Sequence, residues 1–239
     1  FDTGRAAPQQ SYDPRTPSSG ELQDMYQRPS ATPTDTQRMT LDDVVTRTAF
    51  VFGVLLIFAA GTWAVMDPLY PGAFGIVLVG LIGGLVLGLV NSFKREPSPA
   101  LILAYAAFEG VLVGGLSKFY EYQWDGIVGQ AVLGTLAAFS AMLVLYKTGV
   151  VRNSPRFTKI LLIAGVGYFA FSMLHMVGVW FGWWDSLYFP EDGGINGLGL
   201  LLSAAGVVLA SLFLVLDFDF IEQGINNGLP QRFAWTAAF

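Results

Sequence analysis

The sequence predicts an all-α, polytopic membrane helix bundle with six complete spans, a truncated seventh and a cytoplasmic N-terminus. Three observations predict it. Six long apolar segments, nearly free of charge, run between Val44 and Leu216. Each holds about 20 residues, enough at 1.5 Å per helical residue to cross a hydrocarbon layer about 30 Å thick. The chain is 53% hydrophobic and only 13% charged, outside the usual range of soluble proteins. Basic residues also fall on alternate connections between the segments, as the positive-inside rule requires.

Residues 1–39 are polar and hold five of the twelve prolines (Pro8, Pro14, Pro17, Pro29, Pro33). Their apolar surface is too small to offset chain entropy, so a disordered cytoplasmic tail is expected, either a plain tether or a partner-binding arm. The sequence starts at Phe1 rather than Met, and a fragment of a longer chain is expected. Order should begin at Thr40-Leu41-Asp42-Asp43, where Thr40 and Asp43 can close a capping box. Both aspartates also suit the positive end of the helix dipole. The first span then covers about Val44 to Met66 and stops at Asp67, Pro68 and Pro71. The next spans cover about Ala73–Phe93, Pro99–Ser117, Asp125–Tyr146, Phe157–Trp180 and Gly194–Leu216. A last apolar stretch, Phe233 to Phe239, is too short to cross, and a seventh helix is expected to continue beyond it.

The connections set orientation. Lys94 and Arg95 mark the second, Lys147, Arg152, Arg156 and Lys159 the fourth, and Arg232 the sixth. The first and fifth carry Asp67, Asp185, Glu191 and Asp192 and no base; Lys118 is the exception on the third. The N-terminus is therefore expected in the cytoplasm. Tyr70, Tyr120, Tyr122, Trp124, Trp180, Trp183, Trp184 and Tyr188 gather on the opposite side as an interfacial belt. Small residues four apart predict close helix contacts: Gly80, Gly84 and Gly88; Gly110 and Gly114; Gly178 and Gly182; Gly206 and Ala210.

Ionisable groups inside such a bundle are the candidates for chemistry. Glu109 lies about ten residues into the third span, roughly 15 Å deep. Tyr105, one turn away, can donate to it. A protonated, merely structural Glu109 is one reading; an acid on an ion or proton path is the other. The second candidate is the cluster Asp217, Asp219 and Glu222 at the expected end of the sixth span. Acids there oppose the helix dipole, which suggests a countercharge, a shared proton or a bound cation. Asp217 and Asp219 offer hard oxygen ligands suited to calcium; a solvated helix end is the plain alternative. His175, the only histidine, is expected to make a helix-to-helix hydrogen bond deep in the fifth span. Arg47 is expected to snorkel to the cytoplasmic surface.

Other chemistry is disfavoured. There is no cysteine, hence no disulfide or thiolate site. Ser117 sits in Gly-Leu-Ser-Lys, not in a nucleophile elbow. No His-Glu-x-x-His or phosphate loop occurs. An enzyme, a resident cofactor and nucleic-acid binding are not expected.

Three stretches carry a resemblance. They are Met39-Thr-Leu-Asp-Asp-Val-Val45, Pro97-Ser-Pro-Ala-Leu101 leading to Tyr105-Ala-Ala-Phe-Glu-Gly110, and Leu216-Asp-Phe-Asp-Phe-Ile-Glu-Gln-Gly224 followed by Asn227-Gly-Leu-Pro230. With them, about residues 39–239 resemble the Bax inhibitor-1 family in its actinobacterial form, which implies a bacterial cytoplasmic membrane. The resemblance implies a seven-helix bundle with a short last helix near its middle, and a pH-sensitive calcium leak channel in which two aspartates share a proton. Asp217 is similar to the first of these; the second belongs to the last helix, which this sequence does not contain. Where the family usually has Asp-Thr-Gln, this chain has Asp217-Phe218-Asp219. The expected function is thus a calcium leak, gated at Asp217 and Asp219 and lined by Glu109. The rival is a non-conducting subunit docked in a larger membrane complex.

Overall fold

A computed structural model of the chain describes residues 19–20, 22–23, 37–188 and 196–239. Contacts divide the chain into residues 1–37 and 38–239, and the bundle is the second unit. The predicted tail falls almost wholly outside the described residues. The bundle unit starts at Arg38, slightly before the expected boundary, and Met39 is only 2% exposed.

Six long helices follow: α1 Leu41–Val65, α2 Ala73–Phe93, α3 Pro99–Gln123, α4 Ile127–Lys147, α5 Pro155–Trp180 and α6 Gly197–Asn226. Each is long and apolar enough to cross a membrane. A 3-10 turn, Gln231–Phe233, leads into a short α7, Ala234–Ala238. No strand occurs among the described residues. The outward faces expose large apolar side chains, including Ile57, Phe93, Ile160, Val166 and Leu201. Apolar surface on that scale calls for lipid rather than water.

Local chemistry explains the helix ends. Thr40 and Asp43 form the predicted capping box: Asp43 N donates to Thr40 Oγ1 at 3.2 Å, and Thr40 N donates to Asp43 Oδ2 at 3.2 Å. Ser154 caps α5 and Asn196 caps α6. The helix α3 runs on to Gln123, so Lys118 and Glu121 lie on a helix rather than in a loop. Glu121 accepts from Gly126 N at 2.9 Å and Val128 N at 3.0 Å. It thereby caps α4 from across the turn, satisfying amides that the helix start leaves unpaired. Lys118, the misplaced base of the positive-inside pattern, stands 5.0 Å from the Trp63 ring, a cation–π contact.

Helix α3 is the centre of a tight layer. Its Gly110 and Gly114 press on the α1 backbone at Leu55 and Ala59, and Gly80 of α2 presses on Leu112. Glycine lets these backbones approach closely. On the other side, α4 and α5 pack on α6; Tyr168 Oη donates to the Leu202 carbonyl at 3.2 Å. The expected Gly178–Gly182 contact face is not one. Gly178 faces the Trp184 side chain, and Gly182 ends α5 at φ +69°. Trp183 N donates to Gly178 O and Gly182 N to Val179 O, the pair of bonds of a Schellman stop.

The end of α6 has the same device. Leu229 N donates to Gly224 O and Gly228 N to Ile225 O, with Gly228 at φ +65°. The chain then turns back. Met39 N donates to Leu229 O at 2.7 Å, and Arg38 pairs with Pro230 in an isolated bridge. Residues 231–239 do not project outward. Ala234 is fully buried beside Met39 and Val44, and Trp235 and Ala238 pack on Val51, Ile102 and Ala106.

Candidate functional site

Asp217, Asp219 and Glu222 were expected at a helix end. They lie inside α6, which continues to Asn226. Ile221 and Ile225 go on packing against Met39 and Val44, and that contact carries the helix past the acids. The argument from an unfavourable dipole therefore lapses, because the end charge is confined to the last turn.

The helix sends the three acids to different partners. Asp219 accepts from Asn153 Nδ2 and from Gln223 Nε2, each at 2.6 Å. Glu222 accepts from the Tyr146 hydroxyl at 2.6 Å, which ties α6 to α4. Asp217 has no hydrogen bond among the described residues. It faces a cleft of about 850 Å³ between α1, α4, α6 and α7. Thr48 and Phe52 line this cleft from α1, Phe139 and Tyr146 from α4, and Thr236 to Phe239 from the last helix and its end. Asp219 opens instead onto a smaller recess with Gln223 and Asn227. Asp217 and Asp219 thus do not converge on one ligand position. Among the described residues no group of three or more His, Asp or Glu side chains is placed to hold a metal ion.

Glu109 sits half-buried at the middle of α3, its Oε2 3.1 Å from where a Cβ on Gly84 would lie. Gly84 is what leaves room for the carboxyl. No hydrogen bond reaches it among the described residues. Tyr105, one turn earlier, meets the Phe239 ring edge-on at 4.9 Å. Phe239 also lines the Asp217 cleft. Phe239 therefore touches the residue one turn from Glu109 and also lines the cleft that Asp217 faces.

This chain belongs to the Bax inhibitor 1 like family. The family model matches residues 8–239, nearly the whole sequence. No curated protein and no solved structure matches it. As a member of the Bax inhibitor 1 like family it is a membrane protein with six apolar helices, and the stretches that carried the resemblance now have physical roles. Met39 to Val45 supplies the cap of α1 and the seat for the C-terminal segment. Tyr105 to Gly110 supplies the central face of α3. Asn227 to Pro230 supplies the Schellman stop and the turn back.

The expectation for His175 needs correction. His175 is not deep in α5 but near its end at Trp180, and it bonds to a loop. Leu187 N donates to its Nε2 at 3.2 Å, and Trp184 Nε1 donates to its carbonyl at 3.3 Å. The backbone amide can only donate, so Nε2 is the unprotonated nitrogen of this ring. The Phe171 and Trp184 rings stack with it. His175 thus fastens the loop after α5. Arg47 also has partners within the chain: its guanidinium donates to the Gln231 carbonyl and lies 5.5 Å from the Trp235 ring. No sequence signal marked Arg47 or Gln231 as partners, because 184 positions separate them.

Proposed function

We propose that the chain is a cation leak pathway of the bacterial cytoplasmic membrane, with calcium as the permeant ion and Asp217 as the proton-sensitive group. The supporting observation is the isolation of Asp217. Its two acidic neighbours on α6 are each engaged by a hydrogen-bond donor, while Asp217 stands free on the wall of a largely apolar cleft. The Asp217 side chain is exposed, so a cation or a proton can reach it, and the apolar wall favours its neutralisation. Glu109 would offer a further oxygen ligand on the path. The basic ends of the helices would face the cytoplasm, with the N-terminus. Asp219 would act only indirectly, by holding Asn153 and Gln223 in place. No enzymatic step and no resident cofactor is proposed.

The test is calcium flux into dye-loaded liposomes across a pH series. The protein should conduct, and Asp217→Asn, which is neutral at every pH, should remove the pH dependence. An unchanged pH profile in Asp217→Asn would exclude it as the sensor; no flux from the parent protein would exclude the leak.

A second reading, a non-conducting subunit, has one observation in its favour. Gly53 and Gly61 on α1 and Gly129 and Gly134 on α4 have no atom within 4 Å of a would-be Cβ. These faces leave room for another helix. Co-purification of a stoichiometric partner in mild detergent, without flux, would favour that reading.

A further inference from the structure

Four bases crowd the connection between α4 and α5: Lys147, Arg152, Arg156 and Lys159, all exposed. Among the described residues, ion pairs join Arg47 to Asp43 and Arg232 to Glu96, and neither involves these four. The acids of α6 that meet this connection are already engaged. Asp219 accepts from Asn153 and Gln223, and Glu222 accepts from Tyr146. Two acids against four bases leave this end of α4 and α5 positive.

The connection is a bonded turn. Gly149, at φ +74°, leads the chain out of α4. Gly149 N donates to Tyr146 O at 3.0 Å and Val151 N to Leu145 O at 3.2 Å. A Cβ on Gly149 would lie 2.9 Å from Arg152 Nε, so glycine also leaves room for that guanidinium. Asn153 donates to Asp219 and accepts from the Thr158 hydroxyl, each at 2.6 Å. The backbone that carries the bases is thus held at both helix ends.

Apolar surface starts directly beside the charge. Val144 lies one turn before Lys147, and Ile160 and Ile163 lie one and two turns after Arg156. All three side chains are more than half exposed. The helices α4 and α5 each pack on α6 but barely on each other, so the turn spans two helices held apart. A molecule that matches this surface has a negative head and a hydrocarbon body.

The geometry points to a binding site for an anionic phospholipid, with its phosphate among Lys147, Arg152, Arg156 and Lys159 and its acyl chains along Val144, Ile160 and Ile163. Guanidinium groups suit phosphate oxygens because they present paired N–H donors. A free phosphate would use only the bases; the adjoining apolar surface selects the lipid. The site does not depend on ion passage, so it and the leak can fail separately.

The test uses the full chain in mild detergent, titrated with phosphatidylglycerol or phosphatidylcholine and read by native mass spectrometry. The parent protein should retain phosphatidylglycerol in preference to phosphatidylcholine. Arg152→Gln with Arg156→Gln should weaken that retention at least tenfold, since each base beside an anionic lipid surface contributes about fivefold. Lys147→Gln with Lys159→Gln should act in the same direction. Lys94→Gln with Arg95→Gln removes the same charge from the α2–α3 connection and should leave retention unchanged. Equal retention of the two lipids by the parent would overturn the site. So would an equal loss in the Lys94 and Arg95 double variant, which would reduce the effect to overall charge. Release of the lipid by millimolar inorganic phosphate at matched ionic strength would also overturn it, by making the turn a free-anion site.

Discussion

Replacing Gly114 by alanine tests the tight layer that holds Glu109. A Cβ there would fall on the Ala59 carbonyl oxygen and lie 2.8 Å from Ala59 Cα. Carbon atoms settle at about 3.5–4.0 Å, so α1 and α3 must part by about 1 Å locally. A gap of that size forfeits about a quarter to a half of each dispersion contact it opens. Overpacking of this kind costs about 1–3 kcal/mol. The upper end applies here, because the obstacle is backbone and has no rotamer to change. Alanine's better helix propensity returns about 1 kcal/mol, leaving Gly114→Ala destabilised by about 2 kcal/mol. Gly61→Ala on α1 is the matched contrast. Nothing lies within 4 Å of its added methyl, so only the propensity gain remains and the variant should be neutral or slightly more stable. Unfolding by SDS in mixed micelles, followed by tryptophan fluorescence, measures both. If Gly114→Ala unfolds with or after Gly61→Ala, the close approach of α1 and α3 is not what holds the layer together.

Two further outcomes follow from single contacts. His175→Phe keeps the stacking but removes the acceptor of the Leu187 amide, which should cost about 1–3 kcal/mol locally; hydrogen exchange should accelerate over residues 181–188 and leave α1 to α3 unchanged. Glu121→Ala strips two amides at the start of α4 of their acceptor, and a lost cap costs about 0.5–2 kcal/mol; Glu121→Gln, which retains one carbonyl oxygen, should lose less in the same SDS titration.

Much of the fold was legible because it is local. The second span was predicted as Ala73–Phe93 and forms there, since Pro71 and Gly72 stop the chain before it and a charged loop follows. The Thr40–Asp43 box was legible for the same reason, its parts being three residues apart. The third and sixth helices ran longer than expected. Glu121 and Lys118 look like loop residues until the turn and Trp63 they contact are in place. The acids of α6 look like a helix end until Ile221 and Ile225 find Met39 and Val44.

The candidate site divides along the same line. Hydropathy alone commits this chain to lipid, since the cost of exposing or burying each span is set by its own side chains. It also singles out Glu109 and the acids near Asp217 as anomalous. Which acid stays free is settled by partners brought from far along the chain. Asn153 reaches Asp219 over 66 positions, Tyr146 reaches Glu222 over 76, and Gln231 reaches Asp43 over 188. A hydrogen bond requires a donor within about 3 Å, and no local pattern encodes that proximity. Packing left Asp217 facing the cleft, and packing drew the C-terminal segment beside it.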